Sequence, residues 1–252
     1  TKSPTAFLLL GLSWPLAFLV MQFVAPIAQD PTYHDFANTG AWWGVPNFWN
    51  VFTNLALVIA GAVGLRSIYS QRTLRSALGE TLFFVGLLLT GFGSAYYHYA
   101  PDNQTLLWDR LPMTVAFMAL YVALLGHCFD RQLAQRFLPL ALLTGAASVL
   151  YWSYSESRGA GDLRYYAVVQ FLPMLLIPTL LLRWPPKALR VSYLWSMLLL
   201  YLAAKLCEYF DDTLAGHLPF LLTGHALKHL FSGAAGFVFV GARSHAQISP
   251  QE

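Results

Sequence analysis

Residues 77–98 read ALGETLFFVGLLLTGFGSAYYH, an apolar run that closes on Ser94-Ala-Tyr-Tyr-His98. At about 1.5 Å per residue, a helix of this length crosses a hydrocarbon layer of about 30 Å. A helix on a soluble protein would break such a run with a polar face on every turn. Seven more runs of similar character cover about 5–24, 47–65, 106–128, 137–154, 165–182, 191–210 and 218–240. Membrane-spanning barrel strands would instead alternate over segments of about ten residues. The eight spans are therefore expected to be helices, and the fold class an all-α integral membrane protein.

Composition agrees. Hydrophobic residues make up 57% of the 252 positions and charged residues 11%, against roughly 25% charged in an average soluble domain. The net charge of +3 comes from dispersed bases, which excludes the concentrated basic stripe that nucleic acid requires. Cys128 and Cys207 fall inside or beside apolar runs, so they read as buried inert thiols and not as a disulfide framework.

Connections between spans are short, with no soluble domain and no low-complexity segment. The longest, 25–46, holds Tyr33, His34, Asp35, Asn38, Gly40, Trp42, Trp43 and Gly44. It reads as an ordered lid at the headgroup level, where Trp and Tyr are favoured. The first span is longer than a signal-peptide core and preceded only by Lys2, so an uncleaved helix is expected. Eight spans put both termini on one side. That side collects Lys2, Arg66, Arg72, Arg75, Arg131, Arg136, Arg183, Lys187, Arg190 and Arg243, and the other only Arg110, Arg158 and Arg164. The first side is then cytoplasmic. Lys205 and Lys228 fall within spans; Glu208, one turn after Lys205, suggests an internal ion pair, and Lys228 snorkels or pairs with a carboxylate across the bundle.

Polar groups inside a membrane are costly, so each histidine there needs a reason. Ser94 and His98 share a helix face one turn apart, and so do His225 and His229. Asp109 opens the fourth span. By the topology above, all five lie at similar depth, toward the non-cytoplasmic side. Zinc takes imidazole nitrogen, and a catalytic site uses three protein ligands with a fourth position open to water. His225 and His229 reach one ion from a single helix, and His98 is the best-placed third ligand. Bound zinc lowers the pKa of its water to about 7. Asp109 is placed to act as general base and then acid, and Ser94 to donate to an oxyanion. His127 and His217 fall at helix ends and read as interfacial, His245 as solvated in the polar tail, and His34 as part of the lid.

These residues resemble the signature of the CREST superfamily, which includes the alkaline ceramidases: Ser94-x-x-x-His98, the eleven-residue step to Asp109, and His225-x-x-x-His229. Pro46-Asn-Phe-Trp-Asn-Val-Phe-Thr-Asn54 is similar to the segment opening the first core helix of those enzymes. The resemblance runs from about Tyr33 to the end of the last span. It implies a seven-helix core over 47–242, preceded by an extra helix in 1–30 and the outer loop 31–46, and followed by a polar tail, 243–252. It also implies zinc on His98, His225 and His229, with Ser94 and Asp109 beside its water, and hydrolysis of a lipid amide drawn from the bilayer. The family's acidic, calcium-binding N-terminal segment is not reproduced: Asn47 stands where a Glu would be, and Asp35 is the nearby carboxylate. Calcium prefers several oxygen ligands, usually including carboxylates, so this departure argues against a calcium site. Short loops resemble the bacterial branch, which implies an inner membrane with the zinc site toward the periplasmic side. The rival readings are an ester-cleaving lipase or phospholipase of the same architecture and a receptor-like lipid-binding protein with structural zinc. A transporter is weaker, for want of an inverted repeat.

Overall fold

The computed structural model describes residues 4–72, 77–215, 217 and 223–244. Lys2, Arg75, residues 218–222 and His245, each used above, lie outside them. The described chain is helical: α1 (Pro4–Met21), α2 (Phe48–Phe52), α3 (Leu55–Ser70), α4 (Leu78–Tyr99), α5 (Asn103–Cys128), α6 (Arg131–Ser157), α7 (Arg164–Arg183), α8 (Val191–Tyr209), α9 (Asp211–Ala215) and α10 (Gly224–Ser244). A short 3-10 turn, Pro31–His34, sits in the loop after α1.

Among the described residues, six helical stretches are long and apolar enough to cross a membrane: α2–α3 taken together, and α4 through α8. The first helix is apolar but shorter. The tenth has the length, but His225, Lys228 and His229 interrupt the apolar run in its first turns. Large apolar side chains face outward along the bundle, including Leu12, Leu143 and Leu175 at 60–70% exposure. An apolar exterior on this scale belongs in lipid, not water. This is an all-α integral membrane protein.

Span boundaries moved where local side-chain chemistry prevails. The fourth starts at Asn103, not near 106, because Asp102 and Thr105 form a reciprocal capping box. The fifth starts at Arg131 because Asp130 accepts from the Leu133 N–H. The second is divided at Thr53-Asn54, where the Thr53 hydroxyl donates to the Trp49 carbonyl (2.6 Å) and the Asn54 amide to the Asn50 carbonyl (2.7 Å). Such back-bonding competes with the helix ladder.

Within the bundle α4 lies between α3 and α5, α10 packs on α3 and α8, and α7 packs on α5 and α6. One apolar core holds Phe84, Leu124, Ile177, Leu180, Leu194 and Phe239. A second gathers Phe36 from the loop with Tyr97, Leu106, Val149, Trp152 and Tyr166. At the C-terminal end of α1, Arg164 donates to the Met21 carbonyl (2.8 Å) and the Val24 carbonyl while pairing with Asp162. That clamp fixes the first helix against α7.

Candidate metal centre and its cavity

The C-terminal end of α4 and the N-terminal end of α10 bring His98, His225 and His229 together. One nitrogen from each lies within 4.8 Å of the others, and the ring centroids are 4.8–5.3 Å apart. All three are buried. Among the described residues, both His98 nitrogens and His229 Nε2 have no hydrogen-bond partner. Buried imidazole nitrogens are normally satisfied, so this convergence can hold a metal ion.

The start of α10 is itself anchored. Thr223 Oγ1 accepts from the Ala226 N–H (3.3 Å), and Asp211 on α9 accepts from the His225 N–H (2.7 Å). Two otherwise orphaned donors of the first turn are thereby met.

Residues from α2 and the turn after it brace the cluster. The Asn47 amide donates to the His98 carbonyl (2.8 Å). Thr53 Oγ1 lies 2.9 Å from His229 Nδ1. Its single hydrogen goes to Trp49, so His229 Nδ1 must be the donor and Nε2 carries the lone pair. A hydrogen bond on the outer nitrogen is how metal-binding histidines are oriented. The contact needs close helices: a Cβ on Gly233 would stand 2.7 Å from the Ala56 carbonyl carbon.

Ser94 and Asp109 meet across the α4–α5 contact, where the Ser94 hydroxyl is a hydrogen-bond partner of the carboxylate. Gly93 makes this approach, since a Cβ there would fall 2.0 Å from the Trp108 carbonyl oxygen. Ser94, Asp109 and His229 form one wall of a cavity of about 320 Å³. Its other end is apolar, with Phe83, Leu87, Leu120, Met174 and Met197 in its wall. Eleven residues separate Ser94 from Phe83, about 16 Å of helix, so the cavity runs lengthwise through the bundle.

The loop 25–46 closes the site from outside. Phe36 sets its ring 4.7 Å from His98 and 4.8 Å from His225. His34 bridges the Tyr97 hydroxyl (3.0 Å) and the Asn103 side chain (3.1 Å), one layer away from the cluster. The Tyr33 hydroxyl donates to Glu208 (3.3 Å). Burial, with the Glu208 carboxylate beside it, pushes the Tyr33 phenol up to about 12.

The remaining expectations land as follows. Lys205 pairs with Glu208, and Lys228 crosses from α10 to the same carboxylate (2.9 Å). Lys228 Nζ also lies 2.9 Å from His225 Nε2, a contact not foreseen. His127 pairs with Glu80 (2.9 Å) at the far end of the bundle, and His217 donates to the Thr213 carbonyl from an exposed position. Neither cysteine forms a disulfide among the described residues; Cys128 is buried and Cys207 half-buried. Thr53 and Phe36 were missed. Thr53 lies inside the quoted Pro46–Asn54 segment, but pairing across helices has no signature in one sequence; Phe36 had no signal beyond the aromatic character of its loop.

No curated protein is similar enough to match this chain. A protein-family model described as Ceramidase matches residues 44–251. The match begins just before α2, leaves out α1 and most of the loop after it, and takes in every residue of the histidine cluster together with Ser94 and Asp109: the chain belongs to the Ceramidase family.

Proposed function

We propose that the chain is a zinc-dependent intramembrane hydrolase that cleaves the amide bond of a ceramide-like lipid with activated water. The observation that carries this reading is a cluster of three buried histidines, one of which, His229, lines an apolar, lengthwise cavity together with Ser94 and Asp109. Membership of the Ceramidase family supports an amide-hydrolysing activity on a lipid. The histidines fit zinc. They offer neutral imidazole nitrogen, the orphaned nitrogens of His98 and His229 call for a partner, and Thr53 orients one ring for ligation. Bound there, the ion would supply Lewis acidity, acidifying water and polarising a carbonyl.

The rest of the chemistry belongs to side chains of this chain. The apolar arm of the cavity takes an acyl chain entering sideways from the bilayer and sets the amide beside Ser94 and Asp109. Asp109 accepts the proton of the attacking water and returns it to the amide nitrogen as the C–N bond breaks. Ser94 Oγ donates to the carbonyl oxygen as that oxygen gains charge. Phe36 keeps bulk water from the histidines.

The membrane core is residues 47–242, with the site toward the non-cytoplasmic face. Supporting this, His98, Asp109 and His225 share one end of the bundle, while Arg131, Arg183, Arg190 and Arg243 lie at helix ends facing the other way. Purified protein incubated with labelled ceramides and phospholipids, with products identified by mass spectrometry, tests the reaction and separates amide from ester cleavage. His229→Ala is expected to lose both turnover and one equivalent of zinc by metal analysis. Amide hydrolysis persisting in metal-stripped protein would refute the proposal.

A further inference from the structure

Two lysines share one carboxylate in the cavity wall, Lys205 and Glu208 from α8 and Lys228 from α10. Each keeps part of its side chain exposed, 31% for Lys205, 15% for Glu208 and 16% for Lys228. By contrast Glu80, which meets His127 and Arg131 at the far end of the bundle, is 4% exposed. A charge group that served packing alone would be closed in that way and matched one to one.

A lysine carries three N–H donors and a carboxylate about four acceptor sites. Lys228 gives one N–H to Glu208 Oε1 (2.9 Å) and another to His225 Nε2 (2.9 Å). Lys205 gives one to Glu208 Oε2 and sets its Nζ 5.9 Å from the centre of the Phe171 ring. Tyr33 adds a donor to Oε1 (3.3 Å). Among the described residues Oε1 is thereby filled, Oε2 keeps an acceptor site, and Lys228 keeps an N–H.

An acceptor and a donor left side by side match a group that both donates and accepts, as a hydroxyl does. An ammonium there would meet two lysines, and an anion would meet Glu208, so the trio selects against either charge. Its place in the cavity agrees. Lys228 borders the histidine cluster through His225, and Glu208 is the penultimate residue of α8, under Tyr33 of the loop. Phe83, Leu120 and Met174 line the opposite, apolar end. A hydroxyl two carbons from the scissile nitrogen therefore falls at the polar end while the acyl chain takes the apolar one.

We propose that Glu208 and Lys228 are specificity-determining residues that bind a hydroxyl on the amine half of the lipid, Lys228 donating to its oxygen and Glu208 accepting its hydrogen. This rests on the lipid amide reading above and gives the headgroup its contacts.

The test compares binding of N-(2-hydroxyethyl)dodecanamide and N-propyldodecanamide to the purified chain, two amides that differ only in a terminal hydroxyl for a methyl. The hydroxyl lipid is expected to bind about tenfold or more tighter, the scale of a hydrogen bond to a charged group. In Lys228→Met and in Glu208→Gln that ratio falls toward one. Lys228→Met leaves Glu208 matched with Lys205 alone, so it carries the test if thermal unfolding shows that Glu208→Gln does not fold. Equal affinity of the wild type for both amides overturns the proposal. So does a variant that weakens both alike and keeps the ratio, which makes the trio a structural tie between α8 and α10. Turnover is followed separately. Selective binding without hydrolysis counts against the hydrolase reading and leaves the hydroxyl subsite standing, and hydrolysis without preference does the reverse.

Discussion

Thr53→Val removes one hydroxyl and keeps the shape of the side chain. In the wild type that hydroxyl gives its hydrogen to the Trp49 carbonyl and accepts one from His229 Nδ1. The variant leaves a buried N–H with nothing to receive it, at a cost of about 1–3 kcal/mol. The ring can then rotate or change tautomer, and its Nε2 becomes a poorer donor to metal. Loss of such an outer hydrogen bond typically lowers metal affinity about 10–100-fold, which agrees with that penalty. Thr53→Ser keeps the acceptor and is expected to stay near wild type. Zinc affinity is read by titrating detergent-purified protein against a chelator of known strength, with thermal unfolding of the metal-stripped forms recorded alongside. A Thr53→Val protein that holds zinc as tightly as wild type would refute the role given to this contact. So would Thr53→Ser losing as much affinity as Thr53→Val.

Ser94→Ala is expected to lower kcat by about 10²–10³-fold, the usual cost of one oxyanion donor, and Asp109→Asn by about 10²–10⁴-fold. Both should retain zinc by metal analysis, and loss of the metal in either would move that residue into the ligand set. Gly93→Ala puts a methyl into the Trp108 carbonyl and should destabilise by about 3 kcal/mol, the upper end of overpacking; an unchanged melting temperature would contradict the α4–α5 contact. Tyr33 ties pH to stability. Because its folded pKa is raised to about 12, its contribution is complete below about pH 10 and is lost as pH rises toward 12. Tyr33→Phe should therefore gain on wild type in melting temperature between pH 9 and pH 11, and a constant difference would show that the phenol does not titrate differently on folding.

The parts of this molecule that were legible in its sequence are those with a period or a composition. Apolar runs of span length identified the helices, and their alternation set the direction of each relative to the next. That alternation alone brought His98, Asp109 and His225 to one end. Boundaries shifted where a single side chain outweighs the run, as at Asp102 and Asp130. What stayed hidden depends on rotation of one helix against another. Nothing local distinguishes Thr53 from other span threonines, or Arg110 from an interfacial arginine, until α6, α7 and the loop close around it. The loop read as a lid does cover the site, but its plug, Phe36, is one aromatic among many.

The helix that carries two of the three histidines is also among the least suited to lipid on composition alone. His225, Lys228 and His229 occupy its first turns, where a lone helix would leave N–H groups and charge facing hydrocarbon. The fold answers each from a different element: Asp211 takes the His225 N–H, Glu208 takes Lys228, and Thr53 takes His229 Nδ1. α10 is thus held by tertiary contacts more than by its own apolarity, and its polar end costs little only when α3, α8 and α9 are in place. Cutting one of these contacts should loosen the N-terminal end of α10 before the rest of the bundle. Asp211→Ala makes such a cut: Asp211 touches the backbone of His225 and not its ring, and its other oxygen accepts from the Ala37 N–H (3.3 Å), so exchange in the loop rises with it. Backbone amide exchange is expected to rise in residues 224–229 while α4 and α5 stay protected, with zinc affinity falling in parallel. Exchange that rose evenly across all helices would mean the bundle unfolds as one unit, and that the polar end of α10 has no separate dependence on its neighbours.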